Sequence, residues 1–383
     1  MNITLLYGGR SGEHEVSINS AKGVYPALIA LGHSVYLIAI TLEGRWFWQK
    51  QEEITTTLET TYPLTVVPGE GLFCEDEPLS LDAAFAVTHG FGGEDGNLQG
   101  LCMLANLPLL GCDTLSSAIG MHKDIASRLF SLEGIPTVPS QPLNPQDIQW
   151  MEGGSGALPS WISDHKTLGA IPDRWSEACL KLQERLGLSL FIKPEASGSS
   201  LGVSALRTPT GQTFRQAVLE AKNHSPCVLV QSLIEPMDEL ECALLETGEA
   251  HLFAAGPALV VDPGKRSNHF LSYVYKYSQV DSAYLQLPSS YPEGIEQQIR
   301  EYAKQAFKAI GGEGYARVDF FVSGSTIYLN EINTSPGMTL KSHFPLLMAY
   351  AGYSMEQVLQ ILIEHALKRK KEENLRTYRP PGA

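Results

Sequence analysis

The sequence predicts an α/β and α+β protein, with a Rossmann-like parallel sheet at the N-terminus followed by a two-part body of mixed strands and helices. Three observations lead there. Short apolar strands alternate with amphipathic helices over the first 112 residues, the rhythm of parallel strands covered by helices. Strand signals dominate the last third, where two apolar runs flank Ser323-Gly324-Ser325 as a hairpin. The length of 383 residues, at about 150 per domain, allows two or three domains.

The elements follow in order. Residues 3–7 read as a strand ending in Gly8-Gly9-Arg10-Ser11-Gly12, 16–31 as a helix, and 34–40 as a second strand. Residues 83–88 form another strand, running into HGFGGEDG (89–96), and 107–112 close the unit, which places a boundary near 113. A helix is expected over 116–133. The stretch 139–173, rich in Pro, Gly, Ser and Trp without a steady period, reads as a long irregular insertion. Helix 176–186, strand 188–193, a Ser/Gly loop, strand 202–206, helix 214–222 and strand 228–231 complete a middle portion. Strands 240–246 and 251–260, helix 293–310, strands 315–322 and 326–333 and a helix over 354–370 follow. The basic run Lys368-Arg369-Lys370-Lys371 suits a helix C-terminus complementing its dipole. These signals divide the chain at 1–113, 114–231, 232–370 and a loose tail, 371–383.

Composition limits the function classes. Hydrophobic residues make up 43% and charged residues 18%, enough to bury a sizeable core. A net charge of −14 argues against a general nucleic-acid or membrane-surface role, both of which need basic fields. The longest apolar stretch, 24–40, is broken by Pro26, Gly32 and His33, too soon for a membrane span. The N-terminus lacks the basic start and cleavage site of a signal peptide. Cys74, Cys102, Cys112, Cys179, Cys227 and Cys242 are scattered without a CxxC pair, so they read as reduced thiols of a cytoplasmic protein.

The most informative segment is Ala316-Arg317-Val318-Asp319, its turn, and Asn330-Glu331-Ile332-Asn333. Strand side chains alternate faces, so Arg317 and Asp319 share one face, as do Glu331 and Asn333 on the partner. Folding about Gly324 puts Arg317 opposite Glu331 with Asp319 diagonal. Converging oxygens of this kind suit a hard cation such as Mg²⁺; the plain alternative is a surface hairpin with one ion pair. The following Pro336-Gly337 turn can aim amide groups at a reacting centre.

Phe191-Ile192-Lys193-Pro194 then delivers a lysine into the loop 195–202, whose small residues can bring N–H donors to a phosphate. No Walker A string occurs. GSSLG (198–202) matches the GxSxG elbow of serine hydrolases, but strand rather than helix follows and the turn is too long. After the first strand, Glu13 reads either as a holder of a ligand ammonium or as a helix-start carboxylate. His89 and Glu94 sit after a strand in the same way, where a site or an ordinary loop fits equally.

Taken together, these segments resemble the D-alanine–D-alanine ligases of the ATP-grasp superfamily. The matching strings are GGRSGEHEVS (8–17), HGFGGEDGNLQG (89–100), SSAIGMHK (116–123), IKPEASGSSLGV (192–203), ARVDFF (316–321) and NEINTSPGMT (330–339). The resemblance implies a Rossmann-like domain followed by a two-part ATP-grasp fold, with ATP between its two parts. It implies that one D-alanine carboxylate attacks the γ-phosphate of ATP, and that the amine of a second D-alanine displaces the phosphate, for peptidoglycan precursor synthesis. On that resemblance Glu13 holds the first ammonium, with His89 nearby on the substrate side. Lys123, Lys193 and Lys276 meet the phosphates, Ser200 lies in the phosphate loop, and Glu239 binds the ribose. Gln231, Ser232, Leu233 and Ile234 form the adenine hinge. Asp319, Glu331 and Asn333 hold two Mg²⁺ ions, with Mn²⁺ as the substitute.

By the same resemblance Arg317 and the Gly337 amide form the oxyanion site, Ser342 and His343 hold the second carboxylate, and Ser199 in the lid links to Glu13 and Tyr277. A cytoplasmic homodimer is implied. Departures from the family pattern are His122 where Asp is usual, Gln231 at the hinge, Asp238 before Glu239, and Ser272 and Tyr275. The competing readings are a relative that uses D-serine or D-lactate second, another ATP-grasp carboxylate–amine ligase, a serine hydrolase using Ser200, and a non-catalytic nucleotide binder.

Overall fold

A computed structural model describes residues 1–50, 54–55, 62–154, 157–162, 173–248, 251–261 and 284–376. Lys276, Tyr277, Ser272 and Tyr275 lie outside the described residues, as does the tail beyond 376.

β1 (Asn2–Gly8) lies between β2 (Ser34–Ile40) and β7 (Ala83–Ala86), parallel to both. It is a continuous apolar run because both its faces are covered. α1 (His14–Ala30) buries Ile18, Ala21, Val24 and Leu28 on one side of the sheet, the spacing of a single helical face. On the other side, α2 (Asn97–Leu104) buries Leu98 and Cys102 against Leu6 and Ile38. Beyond β2 the sheet continues antiparallel through β3 (Trp46–Gln49), β4 (Tyr62–Val67), β5 (Gly71–Cys74) and β6 (Glu77–Pro78). The sequence pattern did not mark these strands, since runs of two to six residues carry little alternation.

The expected helix over 116–133 is two helices, α3 (Thr114–Met121) and α4 (Lys123–Leu132), broken at His122 with ψ near 90°. Counted with the middle portion by the sequence, α4 packs instead on the C-terminal sheet, where Ala126, Phe130 and Ile135 join Leu244, Phe307 and Phe320 in one core. The stretch expected to be irregular begins with β8 (Ser140–Leu143) and α5 (Pro145–Met151), the latter closed by a capping box between Asn144 and Asp147. Its residues Leu143, Ile148 and Trp150 lie in the middle core.

That core is completed by α6 (Arg174–Leu186), β9 (Leu190–Pro194), β10 (Ser204–Leu206), α7 (Gly211–Lys222) and β11 (Val228–Ser232), with the strands ordered β10-β9-β11-β8, all antiparallel. The C-terminal sheet, β14-β13-β12-β15-β16, comprises β12 (Asp238–Glu246), β13 (Leu252–Val261), β14 (Tyr284–Gln286), β15 (Tyr315–Ser323) and β16 (Thr326–Asn333). α8 (Glu293–Ala309) covers one face through Ile299, Ala303, Ala306 and Phe307. α9 (His343–Tyr350) and α10 (Met355–Asn374) cover the other, and α10 also packs on α1, so the N- and C-terminal sheets share one core.

Arg369 locks that junction. Its guanidinium donates to the carbonyls of Leu109 at 2.6 Å and Gly111 at 3.0 Å and pairs with Glu313. Arg369 of the basic run therefore ties the segment 109–111 to Glu313, besides complementing its own helix. Arg369→Ala is expected to lower unfolding free energy by about 1–3 kcal/mol, against under about 0.5 for Lys370→Ala, whose pair is a surface one. Urea unfolding of the two variants checks this; equal losses would refute it.

The described cysteines are buried except the half-buried Cys227, and burial pushes the thiols of Cys102, Cys112 and Cys242 up to about 12, which keeps them unreactive. No described helix is long and apolar enough to cross a membrane.

Candidate active site

The hairpin β15–β16 sets the site. Its tight turn pairs Ser323 with Thr326, and the register then slips by one between Asp319 and Phe320. The slip is a bulge at Asn330. Asp319 consequently faces Glu331 and Arg317 faces Asn333, which corrects the expected Arg317–Glu331 pairing. The bulge also lets two successive side chains, Asn330 and Glu331, line one cavity.

Arg317 grips Asp319 with a two-pronged contact, Nε to Oδ1 and Nη2 to Oδ2, both at 2.7 Å. Its Nε also lies 3.1 Å from Glu241 Oε2, and Asn333 Nδ2 donates to Asp319 Oδ2 at 3.1 Å. Glu241 is in register with Asp319 across β12 and was missed by the sequence reading. Its signal was there, in the alternation Glu239-Leu240-Glu241, which puts both glutamates on one face. Oxygens of Glu239, Glu241 and Asp319 lie within 4.8 Å of one another and form a buried acidic group beside the expected Glu331 and Asn333.

Burial pushes the Asp319 carboxyl up to about 7, with Arg317 pulling the other way. For Arg317, burial opposes the charge, but Asp319 and Glu241 overcome it and hold the guanidinium protonated. Negative charge thus exceeds positive in a buried, all-oxygen donor set. That chemistry fits a hard divalent cation.

Lys193, delivered by β9, is 5% exposed and donates to Asn330 Oδ1 at 3.1 Å. Burial and the neighbouring Lys123 depress its ammonium to about 8, while Glu331 offsets part of that shift. Lys123 donates to the Ser197 carbonyl at 2.7 Å and lies 3.4 Å from Glu331. Both lysines, Glu239, Ser199 and Ser200 line a cavity of about 70 Å³ whose apolar wall includes Phe191, Val203 and Phe321. Gln231, Ser232, Leu233 and Ile234 are not among its walls. Ser232 spends its N–H on Pro139 and its hydroxyl on Leu186, and Leu233 its N–H on Ser189.

A second cavity, of about 730 Å³, brings Glu13, His89, Arg317, Gly337, Ser342 and His343 to one space. Ser199 donates to the Glu13 carboxylate. A Cβ on Gly198 or Gly90 would lie 2.7 or 2.6 Å from Glu13 Oε2, so a side chain at either position would push that carboxylate aside. His89 is buried between Ser20 Oγ at 2.9 Å, the Ser335 carbonyl at 3.1 Å and Glu94 at 3.4 Å. Burial works against its charged form, but Glu94, Glu13 and the carbonyl together raise its pKa. Ser342 Oγ accepts from the Thr339 N–H at 3.1 Å, and His343 Nδ1 bonds Glu241 Oε2 at 2.8 Å. Ser200 leads into β10 rather than a helix, so the hydrolase elbow is absent.

Two family models match this chain: D-ala D-ala ligase N-terminus over residues 2–112 and D-ala D-ala ligase C-terminus over residues 166–364. The chain is 34% identical to a D-alanine–D-alanine ligase of Bradyrhizobium sp. strain BTAi1, covering 96% of this chain and 95% of that one. It is 33% identical to the Treponema denticola D-alanine–D-alanine ligase, over 99% and 100%. Among solved structures, the D-alanine–D-alanine ligase of Coxiella burnetii superposes with a TM-score of 0.79 at 30% identity, over 98% and 96%. The VanG D-Ala:D-Ser ligase of Enterococcus faecalis does so at 0.77 and 30%, over 95% and 99%.

Proposed function

The chain belongs to the D-alanine–D-alanine ligase family, and from that premise we propose how its own residues join two D-alanine molecules at the expense of ATP. The chain is an ADP-forming ligase for peptidoglycan precursor synthesis. The observation that carries the assignment of roles is the shared cavity of Glu13, Arg317, Gly337 and Ser342, adjoining Lys123 and Lys193.

Glu13 receives the ammonium of the first D-alanine. Lys123 and Lys193 neutralise the phosphates, a role the family resemblance extends to Lys276, and alignment and charge neutralisation are what phosphoryl transfer requires. The first carboxylate attacks the γ-phosphorus, the bond to the β-phosphate oxygen breaks, and ADP leaves an acyl phosphate. Asp319, Glu331 and Asn333 would hold Mg²⁺, with Glu241 close by; when bound, that ion neutralises phosphate charge, and Mn²⁺ fits the same oxygens. Arg317 and the Gly337 N–H meet the oxyanion formed when the second amine attacks the acyl carbon. Ser342 and His343 take the second carboxylate, at the start of α9. The phosphate then departs and the amine loses its proton.

The 70 Å³ cavity is far below the few hundred Å³ of an ordinary ligand pocket, so the 197–201 loop must retract to admit ATP and return to exclude water. Ser199 guards that closure, a role the family resemblance extends to Tyr277. Glu239 takes the ribose, and the 231–234 hinge reaches adenine through carbonyl oxygens. The active unit is a cytoplasmic homodimer.

The test is ADP release with Mg²⁺ and D-alanine beside L-alanine, D-serine and D-lactate, with products identified by mass. ADP with D-alanyl-D-alanine, silent with L-alanine and lowered about 10²-fold or more in Glu331→Gln, is the expected result. A mixed product formed preferentially would overturn the second-site assignment.

A further inference from the structure

α4 begins at Lys123, and its N-cap residue, His122, makes no side-chain cap. The cap arrives from 73 residues further along the chain. Glu195 Oε1 accepts the Asp124 N–H at 3.4 Å, and its Oε2 lies 2.8 Å from His122 Nδ1. An ionised carboxylate only accepts, so His122 donates through Nδ1. The Glu195 carbonyl accepts the Lys123 N–H at 3.3 Å, and Lys123 Nζ reaches the Ser197 carbonyl at 2.7 Å. Glu195 is buried while His122 is about half exposed. Four bonds thus fasten residues 122–124 to 195–197. Further along the same loop, Ser199 is fastened to Glu13.

We propose that Glu195, held by His122, is a positioning residue that makes Lys123 and the 195–202 loop one unit. The inference rests on the proposed function only in naming phosphate as what that unit binds. A carboxylate at a helix N-terminus satisfies orphan N–H groups and complements the dipole. Here it does so from the root of the loop, so the helix that carries Lys123 and the loop that closes over the phosphates cannot shift independently. A flexible lysine held in this way loses less freedom on binding. Ser199 extends the tie to Glu13, so the nucleotide and amino-acid sites share one strap.

Substituting Asp at 122 separates capping from clamping. Aspartate is itself a good N-cap, so α4 keeps its start, but its charge faces Glu195 and repels it. The experiment uses the full chain with Glu195→Ala, Glu195→Gln and His122→Asp. ADP and dipeptide are measured separately, and amide exchange over 196–201 is followed without ligand.

Glu195→Ala and His122→Asp are expected to raise KM for ATP about tenfold, with KM for D-alanine within about twofold, as loss of one or two charge-assisted bonds implies. ADP released per dipeptide rises above one, because a loosened loop admits water to the acyl phosphate. Exchange of the loop amides quickens about tenfold, and Glu195→Gln, which keeps one acceptor oxygen for Asp124 and can donate its NH2 to Nδ1 of the other His122 tautomer, stays within about threefold of the parent. A His122→Asp protein that melts like the parent, with unchanged KM for ATP and unchanged loop exchange, overturns the clamp. A parent that releases no ADP with D-alanine overturns the proposed function instead, and the exchange measurement still decides the clamp.

Discussion

Replacing Arg317 by methionine is expected to lower dipeptide formation about 10²–10³-fold, the effect of removing one group aimed at a developing oxyanion. The same change unfolds the protein more easily. Arg317 compensates two buried carboxylates, Asp319 at 2.7 Å and Glu241 at 3.1 Å, and removing one partner of such a cluster costs about 3–5 kcal/mol. Loss of activity and loss of stability therefore arise together from one residue. Methionine keeps the aliphatic bulk, so the change reports charge rather than a cavity. Turnover is read at a temperature where circular dichroism shows the variant folded, and stability is read by urea unfolding. A variant with turnover within tenfold of the parent would remove Arg317 from the oxyanion site. One with unchanged stability would show that the carboxylates find their protons or partners elsewhere.

The second large effect is a pH dependence set by Lys193. Its ammonium titrates near 8 in the ligand-free protein because of burial and the nearby Lys123. Phosphate oxygens favour the charged form and carry the pKa back toward its ordinary value of about 10.4. Nucleotide binding between those two values therefore takes up a proton, about half of one at pH 8. Affinity is full below that point and falls as pH rises through it. The contribution of the same group to ligand-free stability has the opposite sign. Its folded pKa lies below the unfolded one, so the unfolded chain holds more protons across that window and stability rises with pH there. Titration calorimetry of a non-hydrolysable ATP analogue, in buffers of different ionisation enthalpy, measures the uptake. Lys193→Met abolishes the buffer dependence and weakens binding about 10–100-fold at pH 7, the worth of a desolvated charge-assisted contact. Buffer-independent heats in the parent would exclude Lys193 from the phosphate site.

Much of the site was legible beforehand. Lys123, Lys193, Glu13, Asp319, Glu331 and Ser342, all singled out from their strings, line the two cavities or adjoin them. Glu241 escaped notice because a glutamate on a strand acquires meaning only from its cross-strand neighbour, here Asp319. The Glu195–His122 contact was equally hidden, since neither residue announces a partner 73 positions away. Ser232 and Leu233, in the stretch expected to form the hinge, spend their N–H groups on the carbonyls of Pro139 and Ser189, because β11 ends against those residues.

Residue chemistry and local period determined the kinds of element, their order, and the group of lysines and oxygen donors on which the resemblance rests. These properties are carried within a few residues of chain, where strand alternation and helical spacing are set. Tertiary structure alone decided three things. It chose the bulge at Asn330 that sets Asp319 against Glu331, the placement of α4 on the C-terminal sheet, and the use of Glu195 as that helix's cap. Each depends on which surfaces bury one another across long stretches of chain, and burial is a property of the assembled fold that no single segment contains.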